Sequence, residues 1–358
     1  MKTLAEADLK DKVVIVRADL NVPLDENGEI INDLRIRASL ATLEFLREKG
    51  AKKIIVISHL GRPEGRQERL SLRVVARRLG ELMPNVEFLP ELFGEEVKKR
   101  VQKMRMGEIL VLENLRFDTR EEKNSEELMR EIVEATGAEV YIQDGFAVVH
   151  RAHASTVAIK KVLPVYAGLL VQKEVSNLEK VLKAPEKPML VIIGGSKVED
   201  KAPLVQRFID VADNVVVGGK IAADFTEGEG AMADWIKTGK VYVAEDFDID
   251  EAGRKLDVGP VSTAKIAGLI TDAKTIVWNG VLGKVEDPAY GTASTVVAEL
   301  MGEKVGAETV VCGGDTTGFV ENLMLEHPNL EYSLVSTGGG AALEFLLGKE
   351  LPGLEGLE

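Results

Sequence analysis

An α/β fold, organised as two domains with doubly wound parallel sheets, is what this sequence predicts, on three observations. Short Val/Ile-rich runs alternate with amphipathic helical stretches along the whole chain, the pattern of strand–helix–strand units. Runs such as Val13–Val16 and Ile54–Ile57 are apolar at every position, as strands covered on both faces must be. The chain has 358 residues, beyond the roughly 250–300 at which one hydrophobic core usually stops growing.

In chain order, strands are expected at Val13–Asp19, Lys53–Ser58, Val86–Leu89, Ile109–Leu112 and Val140–Gln143 in the first half. In the second half they are expected at Met189–Ile193, Asn214–Val217, Val241–Ala244, Thr275–Trp278, Thr309–Val311 and Tyr332–Val335. Leu40–Gly50 places Leu43 and Leu46 on one helix face and stops at a glycine. Leu72–Leu82, with Val75, Ala76 and Leu79, repeats the pattern. After Pro164, Tyr166–Leu182 reads as one amphipathic helix carrying Leu169, Leu170, Val175, Leu178, Val181 and Leu182, closed by Ala184-Pro185-Glu186-Lys187-Pro188. The domain boundary is therefore expected near 165–185. The expected organisation is a first domain at 1–165, a connecting helix at 166–183, a second domain at 184–340, and a helix and tail at 341–358 returning toward the first.

Charge separates the halves. The formal net charge is −14, which read as one number argues against nucleic acid or an anionic membrane as a partner. Residues 1–170 carry 28 basic and 28 acidic side chains, and the remainder carries 17 against 31. Sixteen of the 18 arginines and three of the four histidines lie in the first half. Cys312 is the only cysteine, which excludes an intrachain disulfide and a cysteine-based zinc cluster. No apolar run reaches the roughly 18 residues of a membrane span. The N-terminal stretch has only four consecutive apolar residues (Val13–Val16), so a cytoplasmic protein is expected.

In open α/β sheets, ligands bind beyond the carboxyl ends of the strands. In the first half those ends run into Arg17-Ala18-Asp19-Leu20-Asn21, Ser58-His59-Leu60-Gly61-Arg62, Glu113-Asn114-Leu115-Arg116, and Asp144-Gly145-Phe146 followed by His150-Arg151-Ala152-His153. Arg35 is expected in the loop after the first of these. Five arginines and three histidines converging at one sheet edge suit a small, multiply charged anion, because guanidinium forks grip phosphate and carboxylate bidentately. His150 and His153 lack the companion ligands of a metal site.

In the second half the strands run into Gly194-Gly195-Ser196-Lys197, Gly218-Gly219-Lys220, Asn279-Gly280, Gly313-Gly314-Asp315-Thr316 and Gly338-Gly339-Gly340. Glycine-rich turns that open helices present N–H donors to phosphate, so a nucleotide platform is expected. Neither the dinucleotide G-x-G-x-x-G nor the P-loop pattern is present. Lys197 and Lys201, four apart, share a helix face. Asp315 is expected as an N-cap able to orient Mg²⁺. Cys312 is expected to be inert.

The ordered blocks RADLNVP (17–23), SHLGRP (58–63), LENLRF (112–117), DGF (144–146) with HRAHAS (150–155), GGSKVEDK (194–201), LDVGP (256–260), WNGVLGKVE (278–286), GGDTT (313–317) and VSTGGGAALEFLLGK (335–349) resemble the phosphoglycerate kinase family. The resemblance runs from near residue 10 to the C-terminal region. It implies two Rossmann-like domains joined by a hinge helix. It also implies reversible phosphoryl transfer, to a carboxyl group in one direction, between 1,3-bisphosphoglycerate and Mg-ADP, giving 3-phosphoglycerate and ATP. Substrate binding would fall to Arg17, Asp19, Asn21, Arg35, His59, Arg62, Arg116, His150, Arg151 and His153. Nucleotide binding would fall to Gly194, Gly195, Lys197, Lys201, Gly218, Gly219, Asn279, Glu286, Gly313, Gly314, Asp315 and Thr316. The catalytic positions would be Arg35, Lys197, Gly314 and Gly339, and Asp315 would serve Mg²⁺. A monomer without nucleic-acid or membrane partners is implied.

The sequence also departs from that family. The chain is short for it, with the missing length falling between Phe225 and Leu256. Ala147-Val148-Val149, Val281-Leu282 and Cys312 replace residues usual there. Two readings from other classes share the two-domain architecture. A hinged solute-binding protein would need neither the two lysines nor the Asp-Thr pair, and a nucleotide-linked dehydrogenase would need the absent dinucleotide fingerprint.

Overall fold

The computed structural model describes residues 1–196, 198–224 and 230–357, with the backbone alone described at 198, 200 and 230–232. Two compact units emerge, Met1–Lys173 together with the tail from Glu350, and Glu174–Lys349.

The first unit contains β1 (Val13–Arg17), α1 (Leu34–Glu48), β2 (Lys53–Ile57), α2 (Arg73–Leu82), β3 (Val86–Phe88), α3 (Glu95–Lys103), β4 (Glu108–Val111), α4 (Glu126–Thr136), β5 (Val140–Gln143) and β6 (Val165–Ala167). The helix α5 (Leu169–Lys183) follows, and the two units divide within it. The sheet order is β3-β4-β2-β1-β5-β6, with every pairing parallel. Strands buried on both faces explain the unbroken Val/Ile runs. Val14, Val16, Ile54, Val56, Ile109, Val111 and Ile142 pack against Leu43 and Leu46 of α1 and Val75 and Leu79 of α2.

The second unit contains β7 (Met189–Ile193), α6 (Val198–Ile209), β8 (Asn214–Val217), α7 (Gly219–Ala223), α8 (Gly230–Lys237), β9 (Val241–Val243), β10 (Phe247–Ile249) and β11 (Lys255–Val258). It continues with α9 (Pro260–Asp272), β12 (Thr275–Asn279), α10 (Thr292–Gly302), β13 (Glu308–Cys312), α11 (Gly314–Glu326), β14 (Leu334–Val335) and α12 (Gly340–Leu346). Its parallel sheet runs β14-β13-β12-β7-β8-β9. The winding reverses between β7 and β12, the crevice where doubly wound sheets receive ligands. In the first unit the reversal falls between β1 and β5.

Four local expectations are corrected. Val165–Ala167 is a strand paired with β5, not the start of a helix. The helical periodicity begins only after Gly168, and the β-branched and aromatic residues before it complete the sheet edge. α1 starts at Leu34, so Arg35 lies in its first turn rather than in a loop. Its early buried face includes Ser39 and Thr42, which an apolar count does not register. β10 and β11 form an unanticipated antiparallel pair with a bulge after Asp248, its strand character hidden by acidic residues. Gly313, not Asp315, occupies the N-cap of α11, and Asp315 lies in the first turn.

Among the described residues, no helix is long and apolar enough to cross a membrane.

Candidate functional site

In the first unit, the loops leaving β1, β2, β4 and β5 emerge at the same sheet edge because all four strands are parallel. Arg17, the last residue of β1, is 1% exposed. Its Nε donates to Ser155 Oγ at 3.1 Å, and Nη1 donates to Ala18 O at 2.7 Å and Ser58 Oγ at 3.1 Å. Its Nη2 lies 2.9 Å from His59 Nδ1. Arg17 is thus enclosed by protein partners on most of its donors. Its partners come from its own loop at Ala18 and from two others, at Ser58-His59 and at Ser155, a set that no single motif displays.

Arg35 reaches from α1 to Asp19, with Nη1 at 3.0 and 2.9 Å from the two carboxylate oxygens. Asp19 is 1% exposed, so its carboxylate serves the arginine first. Asn21 Oδ1 accepts from Gly61 N at 2.8 Å, and Arg116 Nη1 donates to Gly61 O at 2.7 Å. The His59–Arg62 loop is therefore held from two sides. Arg116 Nε also lies 3.3 Å from Glu122, and burial pulls its guanidinium down to about 10.

Arg151 Nε donates to His150 Nε2 at 3.2 Å. Burial, reinforced by Arg116, Arg151 and Arg17, takes His153 down to about 4. Arg62 is exposed. Residues that motif reading passed over complete the assembly. Glu121, 1% exposed, accepts from Ser155 N at 3.0 Å and Ser155 Oγ at 2.6 Å. Asn114 Nδ2 donates to Leu60 O at 2.8 Å and Leu70 O at 2.9 Å. Ser58 and Ser155 stood inside quoted motifs and could have been found there, whereas Glu121 has no sequence signal.

In the second unit, the loops after β7, β8, β12 and β13 line two adjoining cavities of about 310 and 540 Å³, which share Gly195, Ser196, Val281 and Asp315. The smaller is also lined by Gly219, Lys220, Phe247, Lys255, Leu282 and Glu286. Lys255 lies 4.6 Å from the centre of the Phe247 ring and donates to Ala223 O at 3.1 Å. The larger holds Lys201, Gly313, Gly314, Thr316 and Lys349.

Lys201 Nζ donates to Asn279 Oδ1, and Asn279 Nδ2 donates to Cys312 O at 3.1 Å. Thr316, 1% exposed, accepts from Gly280 N at 2.7 Å and so braces the 280 loop. Gly194 is buried, and a Cβ there would meet Val281 O at 2.3 Å and Gly280 O at 2.4 Å. Its lack of a side chain lets two loops touch. The chain then passes through Gly195, whose φ of +104° suits glycine alone.

Gly218 packs against Leu282. Gly339, at φ +50°, precedes α12. The preceding loop is tied down by Glu174 of α5, which accepts from Thr337 N at 2.7 Å and Oγ1 at 2.9 Å. Burial pushes the Cys312 thiol up to about 11, which keeps it protonated and unreactive. Lys197 lies outside the described residues.

This unit presents anion-binding equipment without a basic surface. The first turn of the 13-residue α11 borders the larger cavity through Gly314 and Asp315, and helix N-termini carry partial positive charge. Among the described residues, no group of three or more His, Cys, Asp or Glu is placed to hold a metal ion. Asp315 is exposed and borders both cavities. That donor set fits Mg²⁺ held by one carboxylate together with the phosphates of a nucleotide, as a hard, strongly hydrated cation usually is.

The family model described as "Phosphoglycerate kinase" matches residues 4–247 and 231–349. The chain belongs to the phosphoglycerate kinase family. It is 37% identical over 391 aligned residues to the phosphoglycerate kinase of Coprothermobacter proteolyticus, covering 99% of this chain and 98% of that one. It is 38% identical over 396 to that of Aquifex aeolicus, covering 100% and 98%. Both aligned spans exceed the 358 residues of this chain, so both alignments open gaps in it.

Among solved structures, it is similar to the phosphoglycerate kinase of Pyrococcus horikoshii (TM-score 0.84, 27% identity, 100% of this chain and 98% of that one). It is also similar to the phosphoglycerate kinase of Coxiella burnetii (TM-score 0.79, 32% identity, 99% and 97%). The two segments matched by the family model overlap at 231–247, inside the 225–256 stretch where the sequence places the shortening.

Proposed function

We propose that this kinase catalyses reversible in-line phosphoryl transfer from 1,3-bisphosphoglycerate to Mg-ADP, giving 3-phosphoglycerate and ATP, as a cytoplasmic monomer serving glycolysis and gluconeogenesis. The observation that carries the reading is the pair of adjoining cavities at the carboxyl ends of β7, β8, β12 and β13. One has an apolar wall suited to a base, and the other has lysine, threonine and a helix N-terminus suited to phosphates. We assign the acid's half-site to the first unit, where Arg35, Arg116 and Arg151 surround the buried His59 and His153 and Arg62 stands exposed.

In this scheme Arg35, held by Asp19, faces the transferring group, and Lys201, held by Asn279, faces the nucleotide phosphates. Gly314 and Gly339 contribute backbone N–H groups, and Lys197 completes the set. Mg²⁺, held by Asp315 and nucleotide oxygens, would neutralise phosphate charge. No side chain needs to become covalently attached, because catalysis rests on position and on charge stabilisation. Closure of the two units during turnover would exclude water that hydrolyses an acyl phosphate.

The test is a coupled assay of ATP formation from Mg-ADP and 1,3-bisphosphoglycerate. Turnover requiring all three components is expected, and no ATP above the enzyme-free rate would overturn the reading. For closure, scattering profiles with and without both substrates should differ, and identical profiles would remove that step.

A further inference from the structure

His59 and Arg17 form a pair that the transfer scheme does not use. Arg17 Nη2 stands 2.9 Å from His59 Nδ1, and both side chains are buried. A guanidinium has donors and no acceptor, so Nδ1 must supply its lone pair. The proton of the neutral ring then belongs on Nε2. Among the described residues the one hydrogen bond of the ring is that at Nδ1, and Nε2 is not among the fully buried atoms without a partner, so its proton is open to solvent or to a ligand.

Arg17 has little freedom to release the ring. Ser155 Oγ, Ala18 O and Ser58 Oγ accept from its other donors, and Ser155 Oγ in turn donates a hydrogen bond to Glu121 Oε1 at 2.6 Å. Protonating His59 would set an N–H at Nδ1 against the guanidinium N–H and place like charges in contact. The surroundings act in the same direction. Burial first, then Arg17 from β1, Arg116 from the turn after β4, Arg35 from α1 and His153 from the loop after β5, hold His59 well below the ordinary histidine range.

We propose that Arg17 is a positioning residue that locks His59 as the neutral Nε2–H tautomer, so that His59 meets an anionic oxygen of the bound acid as a hydrogen-bond donor and not as a cation. The ligand half of this inference rests on the reading of the first unit as the acid's site. The tautomer half does not.

Long-range ¹H–¹⁵N correlation spectra of the full chain, labelled at histidine, test it between pH 5 and 8. The chain has four histidines, and the signal lost in His59→Gln assigns the ring. The expected pattern is a protonated Nε2 and an unprotonated Nδ1 that do not titrate. An Nδ1–H tautomer, or half-protonation near 6.5, would overturn the lock. In Arg17→Met, the preference for one tautomer should be lost and the titration of His59 should move up toward, without reaching, its ordinary value of about 6.5, because burial, Arg116 and Arg35 remain. The ratio of variant to wild-type KM for 3-phosphoglycerate should follow that titration, which a merely structural role would not produce. Should Arg17→Met fail to fold, the wild-type spectrum still decides the tautomer. The expected tautomer in a protein that does not bind 3-phosphoglycerate would overturn the ligand role and the site reading together. Binding with a titrating His59 would overturn the lock alone.

Discussion

Replacing Arg35 with alanine separates folding from chemistry. Arg35 Nη1 contacts both oxygens of Asp19 at 2.9 and 3.0 Å. The arginine side chain is 23% exposed and the aspartate 1%. Arg35→Ala therefore strands a buried carboxylate, which costs about 1–3 kcal/mol. At roughly 2–4 °C per kcal/mol for a unit of this size, Tm should fall by about 2–12 °C. If Arg35 also stabilises charge on the transferring group, kcat should drop by about 10²–10³, the usual cost of losing one such donor. The double variant Asp19→Asn, Arg35→Ala should recover part of the Tm without recovering kcat, because a neutral amide tolerates the missing partner. Calorimetry and the coupled ATP assay at saturating substrates read the two effects. A kcat within a fewfold of wild type, alongside the lowered Tm, would confine Arg35 to the fold and refute its place in the transition state.

Three further outcomes follow from buried contacts. Gly194→Ala drives a Cβ to 2.3 Å from Val281 O, so one of the two loops must move at a cost of about 1–3 kcal/mol. KM for ADP should rise while KM for the acid holds, and an unchanged ADP KM would show that this contact does not shape the nucleotide site. Asp144 is fully buried, with one oxygen unpartnered among the described residues, and burial raises it to about 7 from about 3.9 in an unfolded chain. The native state thus keeps a proton that the unfolded chain releases. The resulting stabilisation, of order 4 kcal/mol, is complete below pH ~4 and lost as pH rises through 7. Asp144→Asn should flatten the change in urea midpoint between pH 4.5 and 8, and an equal slope in both proteins would count against it. Lys160 Nζ donates to Pro352 O at 2.6 Å and Glu355 O at 2.5 Å. Lys160→Met should lower the hydrogen-exchange protection of Gly353 N, which bonds Val149 O at 2.7 Å, and full protection would mean the tail holds without the lysine.

The architecture was legible because double-sided burial leaves an unmistakable trace. β1, β2, β7 and β12 are runs in which almost every residue is apolar, and each is followed by the polar or glycine block that marks a strand's carboxyl end. β10 and β11 left no such trace, since Asp248, Ile249 and Lys255 face outward and local composition reads as loop. For the candidate sites, the sequence made legible which loops lie together at a sheet edge, and left illegible what each side chain contacts there. Gly194 looks like a ligand-facing glycine, yet its conformation answers to a loop 86 residues further on, at Gly280. Arg17 looks like its neighbours in the basic set, yet Ser58, His59 and Ser155 enclose it. Those partners are remote in sequence, and pairing between remote residues is what a motif cannot show.

That enclosure changes what the basic cluster is. Five arginines suggest a pool of positive charge waiting for an anion. In the fold, Arg17 is spent on four partners, Arg116 on Gly61 O and Glu122, and one amino group of Arg35 on Asp19. His59 and His153 are both held below the ordinary range, so neither adds charge at neutral pH. The cluster is therefore less a reservoir of cations than a frame of fixed N–H donors, which under the proposed function would lower the reorganisation required on binding. The acidic unit reaches a related end by another route, with close-packed glycine loops, the first turn of α11 and one lysine held by Asn279. Net charge, zero over residues 1–170 and −14 over the remainder, is thus a poor guide to either candidate site, because in both the N–H donors are set by buried contacts rather than by surface excess.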